Sequence, residues 1–77
     1  MHYVAYPTDL NTLEVGKCAI ANTTSTFNVP TQLGNSDCSF YCFGDSKSGA
    51  YFQIGTNLVT FMIRAHKGTN WGAWKEI

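Results

Sequence analysis

Thiols and imidazoles are the side chains of this sequence with the widest chemical scope. Its 77 residues hold three cysteines, Cys18, Cys38 and Cys42, and two histidines, His2 and His66. On an extended strand the Cα atoms of Cys38 and Cys42 stand ~13 Å apart, whereas a disulfide needs less than about 7 Å. A zinc site needs four closely spaced ligands, usually Cys or His. We therefore predict no disulfide scaffold and no metal site, and interpret the cysteines as small buried hydrophobes in a reducing compartment.

Catalysis requires a nucleophile with an oriented base, paired carboxylates or a metal, and the sequence contains none of these as a motif. The glycines do not form the phosphate cradle that joins a strand to a helix. His66 stands beside Lys67 at the end of a predicted strand, a position typical of a solvated histidine. We therefore predict a protein that is not an enzyme and carries no cofactor.

Charge and hydropathy restrict the classes of partner. Five Lys and Arg residues balance five Asp and Glu residues, so the chain has no overall field that attracts nucleic acid or an anionic membrane. No apolar run approaches the ~20 residues of a membrane span, and the N-terminus lacks the features of a secretory signal. The sequence thus predicts a soluble chain made in the cytoplasm, with no nucleic-acid partner and no membrane insertion.

Aromatic side chains offer a different chemistry, because flat apolar rings bind the apolar faces of sugars. Tyr41 and Tyr51 lie on adjoining predicted strands and are expected to face each other on one surface. Ordinary cross-strand packing is the alternative interpretation of this pair.

The C-terminal aromatic residues extend the candidate surface. Trp71 and Trp74 are three residues apart, so on a single strand they point to opposite faces, one toward the core and one toward solvent. Arg64 is expected either to stack on an indole or to pair with an acidic sugar. The candidate receptor-binding residues are Tyr41, Tyr51, Arg64, His66, Asn70 and Trp71.

Local patterns predict one domain of about five strands, since 77 residues leave no room for a second core. An extended arm at residues 1–7 precedes one helical turn, capped by Thr8 or Asp9, that places Leu10 and Leu13 on the same side. Turn residues separate predicted strands at 17–22, 38–43, 50–54, 58–65 and 71–77. The predicted class is mainly β, a small antiparallel sheet with one short helical turn near the N-terminus.

Residues 22–37 are rich in Asn, Thr, Ser, Gly and Pro, and predict a long polar loop of the kind that often carries function. The isolated apolar residues of this loop are Phe27, Val29 and Leu33. In the strand at 58–65, the period of two predicts a core face made of Val59, Phe61, Ile63 and Ala65.

The sequence closes with Arg64, Gly68 and the run Trp71-Gly72-Ala73-Trp74-Lys75-Glu76. This ending resembles that of the pyocin knob family, the knob domains of phage tail fibres and pyocin fibres, in which an Arg, a Gly-containing turn and W-x-x-W-K close the domain. The segment from Asp9 to Leu13, followed by Gly16, is similar to the family's opening sequence, so the resemblance brackets residues 8–77. The middle, residues 22–44, departs from the family pattern.

The resemblance implies a non-catalytic domain of a phage tail fibre or tailspike, located in the virion and made in the bacterial host cytoplasm. Its implied partners are bacterial surface polysaccharide or another receptor, the rest of the fibre, and further copies in a homotrimer. Self-association also suits a chain below ~70–80 residues, whose single core gives about 3–5 kcal/mol. The alternatives are a structural trimerisation or capping unit of a fibre and a small unrelated virion interaction protein.

Overall fold

A single mixed sheet organises the computed structural model, which describes residues 2–77 with the exception of the side chains of His2 and Tyr3. The predicted mainly β class is confirmed. The described residues form seven strands, more than the five expected, because the N-terminal arm pairs and the closing segment divides in two. The strands are β1 (His2–Ala5), β2 (Lys17–Ala21), β3 (Cys38–Asp45), β4 (Ala50–Thr56), β5 (Phe61–Lys67), β6 (Asn70–Trp71) and β7 (Lys75–Glu76).

The strands follow one another across the sheet in chain order from β1 to β6, and β7 also pairs with β5. Antiparallel pairing holds from β2 onward. The arm β1 instead joins β2 in parallel, because the connection at residues 6–16 crosses back before the second strand starts. Met1, the first residue of the predicted arm, lies outside the described residues.

The predicted helical turn is a 3₁₀ turn at Leu10–Thr12. Asp9 caps it, since its Oδ1 accepts a hydrogen bond of 2.9 Å from the backbone N–H of Asn11. Leu10 and Leu13 are both buried on the sheet. The sequence prediction of this turn, its cap and its apolar side is confirmed.

The polar segment at residues 22–37 is ordered by its own hydrogen bonds. Asn22 Oδ1 accepts from the backbone N–H groups of Thr24, at 3.1 Å, and Ser25, at 2.8 Å. A second 3₁₀ turn, Thr31–Leu33, follows. Of the predicted apolar residues Val29 and Leu33 are buried, whereas Phe27 is 70% exposed. The segment therefore acts as a lid over the sheet.

The lid ends are tied to the chain that follows β1. Asp37 accepts hydrogen bonds from the Tyr6 hydroxyl at 2.5 Å and from the Asn22 amide at 2.9 Å. These two bonds, the Tyr6 bond first, lower the pKa of Asp37 below its usual 3.8. The carboxylate form of Asp37 therefore helps to hold the lid closed.

The two faces of the sheet differ in what lies over them. Both 3₁₀ turns, the lid and the C-terminal segment pack on one side, which we call the covered face, and its strand residues include Ala19, Phe40, Cys42, Gln53, Met62 and Arg64. No described element packs over the other side. We call it the open face, and its residues include Ile20, Tyr41, Phe43, Phe52, Ile54, Phe61 and Ile63.

The predicted core face of β5 is wrong. Met62 and Arg64 are buried, whereas Phe61 is 48% exposed and Val59 belongs to the turn before the strand. Both phases of this strand carry apolar residues, so alternation alone does not select one of them. The lid decides which residues of β5 are buried, because Met62 belongs to the same buried cluster as Val29 and Leu33 of the lid. The part of the chain that the structure describes contains no helix of the length and hydropathy needed to cross a bilayer.

Candidate functional site

Three aromatic rings from neighbouring strands meet on the covered side, near the end of the sheet. Tyr51 of β4 lies opposite His66 of β5, which lies opposite Trp71 of β6. The Tyr51 and His66 rings stack with centroids 4.1 Å apart and planes 8° apart. The Trp71 ring stands edge-on to Tyr51 at 5.4 Å and to His66 at 5.0 Å. Cross-strand register thus builds this aromatic cluster directly.

Tyr51 owes its place to a close backbone contact. It pairs with Gly44 of β3, whose φ is +132°, and a Cβ on Gly44 would lie 2.5 Å from the Tyr51 Cα. A residue with a side chain at position 44 would therefore push the two strands apart. The glycine allows the tyrosine backbone to approach.

His66 has a defined orientation in the cluster. Its Nδ1 lies 2.6 Å from the backbone carbonyl of Gly49. Since a carbonyl only accepts, Nδ1 carries the proton of this hydrogen bond. The bond fixes the ring plane against Tyr51, so the predicted solvated turn histidine is instead part of a packed stack.

Arg64 supports the cluster from beneath. Its guanidinium carbon lies 4.0 Å from the Trp71 ring centroid and 4.9 Å from that of Trp74, a cation–π sandwich. Its Nε and a terminal nitrogen donate to Gln53 Oε1 at 2.9 and 2.8 Å. The side chain is 5% exposed, and this burial lowers the pKa of Arg64 to about 10. It remains charged at neutral pH, but it does not present that charge to solvent.

Gln53 completes a buried polar chain. Its Nε2 donates to the backbone carbonyl of Leu10 at 2.7 Å, so the amide links Arg64 to the first 3₁₀ turn. Among the described side chains, every buried nitrogen and oxygen has a hydrogen-bond partner. Of the two predicted roles for Arg64, stacking on an indole is the one that the structure shows.

The two tryptophans lie on the same side of the sheet, so the prediction that they point to opposite faces is wrong. The chain leaves strand geometry at residues 72–74, and both indoles therefore reach Arg64. Trp74 also donates from Nε1 to the Asn28 carbonyl at 2.8 Å and packs 5.9 Å from the Phe40 ring. Trp74 thus fastens the C-terminal segment to the lid.

Tyr41 stands apart from the other candidates. It pairs with Ile54 rather than Tyr51 and lies on the open face, where its ring stacks on Phe43 with centroids 5.9 Å apart. The prediction that Tyr41 faces Tyr51 is wrong, because the partner of Tyr41 is three residues from Tyr51 and an odd offset reverses the face. Asn70 is exposed and pairs with Lys67, in phase with the open face, so it lies on the opposite side of the sheet from the aromatic cluster.

Comparison with known proteins does not assign a function to this site. No family model, curated protein or solved structure matches the chain. Inference about the cluster therefore depends on its geometry and on the resemblance carried by the closing sequence.

A polar cleft adjoins the cluster and was not predicted. It has a volume of about 240 Å³, and Tyr51 forms one wall. The other lining residues come from the first 3₁₀ turn, from the segment that follows it and from the β3–β4 hairpin: Asn11, Thr12, Leu13, Glu14, Val15 and Ser46. The segment around the first 3₁₀ turn and the β3–β4 hairpin are distant in the sequence. Only the fold brings them together.

The thiols lie away from this cleft. All three cysteines are free, with Cys38 and Cys42 buried and Cys18 half-buried. Burial is the main cause that raises the pKa of Cys38 and the pKa of Cys42. Within residues 2–77 the structure groups no three His, Cys, Asp or Glu side chains closely enough to hold a metal ion.

Proposed function

We propose that this protein is a non-catalytic receptor-binding knob domain of a phage tail fibre or tailspike, and that it binds bacterial surface glycan. The observation that carries the proposal is the Tyr51–His66–Trp71 cluster beside a polar cleft. Sugars are recognised by aromatic rings that cover their apolar faces together with polar groups that bond their hydroxyls. Both kinds of group occur here within one surface.

The size of the cleft suits a small epitope. At about 240 Å³ it is smaller than the ~300–1,000 Å³ of pockets that enclose drug-sized ligands. It therefore accommodates about one sugar ring, with its flat side on Tyr51 and its hydroxyls toward Asn11, Thr12 and Glu14. Affinity at one such site is low, and repeated sites in the homotrimer proposed from the resemblance would raise it through avidity.

The cluster is also held before any ligand arrives. Arg64 fixes Trp71 from below, and the carbonyl of Gly49 fixes His66. A preformed aromatic surface loses little conformational entropy on binding. This rigidity supports recognition rather than simple packing.

A structural trimerisation or capping role in a fibre is the second candidate function. The open face favours it, because Tyr41 and Phe43 form an apolar surface with no described cover. On this second proposal the aromatic residues on that face are buried between subunits.

Binding of the wild-type chain to an array of purified bacterial O-antigen and capsular polysaccharides tests the first proposal. We expect Tyr51→Leu and Trp71→Leu to abolish binding to any glycan that the wild type retains, while solution mass and circular dichroism stay unchanged. Phe27→Leu, which alters a 70% exposed ring that does not line the cleft, is the matched control. Binding that survives both cluster variants would contradict the proposed site, and loss of assembly together with binding would favour the structural role.

A further inference from the structure

The open face is a continuous apolar surface. Cross-strand pairs place Tyr41 beside Ile54, Phe43 beside Phe52, and Ile54 beside Ile63. The Phe43 and Phe52 rings contact each other with centroids 5.7 Å apart. Tyr41 and Phe43 remain 38% and 37% exposed, although the covered face has its own aromatic residue, Phe40, fully buried. An uncovered sheet face of this composition marks an interaction surface.

The turn between β4 and β5 lies between Thr56 and Phe61, at one end of this surface, and carries two further exposed aliphatic residues. Leu58 and Val59 are 83% and 86% exposed. Asn57 Oδ1 accepts from the backbone N–H groups of Val59 at 2.9 Å and Thr60 at 2.7 Å, which fixes the turn. Leu58 has φ of +74°, a left-handed conformation that costs free energy in a branched residue. A rigid, strained turn thus holds two aliphatic side chains in solvent beside Phe61.

Charged residues stand only around the edge of the open face. Asp45 and Lys67 end β3 and β5 in phase with it, and Lys75 lies on the β7 edge. None of the described charged side chains lies in its centre. An apolar centre within a polar rim is the arrangement of protein–protein interfaces. The rim carries both signs of charge, so it complements a second copy of itself better than it complements a strongly acidic or basic partner.

The area also suits pairing between copies. Given ~150–250 Å² for each aromatic side chain, the exposed parts of Tyr41, Phe43 and Phe61 alone supply roughly 200–300 Å². The aliphatic neighbours and the Leu58–Val59 turn bring the patch to about 500 Å², so two copies together reach the ~1,000 Å² that a specific interface needs. Among the described strand side chains in the centre of this face, Ser39 and Tyr41 are the ones that offer a sugar a hydroxyl.

We propose that the open face is the interface between copies of this chain, packed sheet against sheet. Facing sheets pack ~10 Å apart with interdigitating side chains, and the same patch becomes buried on every copy of the chain. The aromatic cluster stays accessible, because it lies on the opposite side of the sheet. The assignment needs self-association alone and does not depend on receptor binding.

Sedimentation velocity under reducing conditions, from ~1 to ~100 µM chain, tests this interface. We expect the wild type to form oligomers and Phe61→Glu to weaken association by about thirtyfold or more, the effect of losing a central aromatic contact. Tyr41→Arg keeps an apolar stem over the sheet and serves if Phe61→Glu does not fold. Phe27→Glu is the matched control, since it places the same charge at an exposed ring over the covered face, where Phe27 is 70% exposed, and its mass in solution should equal that of the wild type.

Fluorescence of the two tryptophans, which lie on the other side of the sheet, reports independently that each variant is folded. A wild type that remains monomeric at ~100 µM overturns the proposal. So do oligomers that persist in folded Phe61→Glu and Tyr41→Arg. If the wild type is monomeric and binds a hydrophobic dye that Tyr41→Arg does not bind, the open face belongs to a different partner. Glycan binding does not enter this measurement, so its loss and a monomeric chain are separate results.

Discussion

The covered and open faces of this sheet are built from the same strands and from similar residue types, yet they have opposite surroundings. Phe40 and Tyr41 are neighbours in β3; the first is fully buried and the second is partly exposed. The difference arises from the segments outside the strands, since the lid and both tryptophans pack on one side only. In so small a sheet, burial depends on the loops as much as on strand alternation, and the face without loops is left for other molecules.

Substitution of the two neighbours gives the largest expected contrast. Phe40→Ala removes a buried ring that contacts Trp74, a change that typically costs about 3–5 kcal/mol. That is comparable to the ~3–5 kcal/mol available to a domain of this size, so we expect the variant to be largely unfolded at 25 °C.

Tyr41→Ala is the matched change on the open face. In dilute monomer it should cost about 1 kcal/mol or less, the range of partly exposed positions. Urea unfolding followed by tryptophan fluorescence at low chain concentration measures both free energies. Equal losses for the two variants would show that the open face is covered in the monomer.

The buried polar chain gives the next effect. Gln53→Leu leaves the Arg64 charge buried without its hydrogen-bond acceptor, and the Leu10 carbonyl loses its donor. Leaving a buried polar group without its hydrogen-bond partner costs about 1–3 kcal/mol, and more when the group is charged. The double variant Gln53→Leu/Arg64→Met removes the charge as well and should be more stable than Gln53→Leu alone.

Denaturant midpoints of the single and double variants decide this point. If the double variant is the less stable, the cation–π contacts with Trp71 and Trp74 stabilise the covered face more than the hydrogen bonds to Gln53 do.

Local features of the fold were predictable from the sequence. The Asp9 cap and the Leu10–Leu13 spacing lie within one turn, and turn residues delimit the strands, so short-range rules were sufficient for both. The phase of β5 was not predictable, because Phe61 and Ile63 alternate with Met62 and compete for the core. Contacts with residues more than twenty positions away in the sequence decided the outcome.

The candidate site was also predictable from the sequence only in part. Tyr51, His66 and Trp71 come together through strand pairing between neighbours in the chain, which the hairpin pattern indicates. Tyr41 was misplaced because the sequence does not fix the register of β3 on β4. The cleft residues Asn11 and Ser46 come from separate turns, and no local signal joins them.

Thiol ionisation gives the smallest expected effect on the free energy of unfolding. It concerns the two cysteines that are buried on the covered face. Cys38 and Cys42 are buried on the covered face, and burial raises the pKa of each above 9.0 in the folded chain. Above pH ~9 the unfolded chain therefore binds fewer protons than the folded chain. The stabilisation is fully present below the unfolded pKa and is lost as pH rises toward the folded value.

We expect the free energy of unfolding to fall by less than about 1 kcal/mol between pH ~8.5 and ~9.5 for this reason. Cys42→Ala and Cys38→Ala should each flatten the alkaline slope, because burial raises the pKa of both thiols. The comparison uses differences in slope, so any constant packing cost of either substitution cancels. An alkaline slope that neither substitution changes would show that packing on the covered face does not protect these two thiols from ionisation.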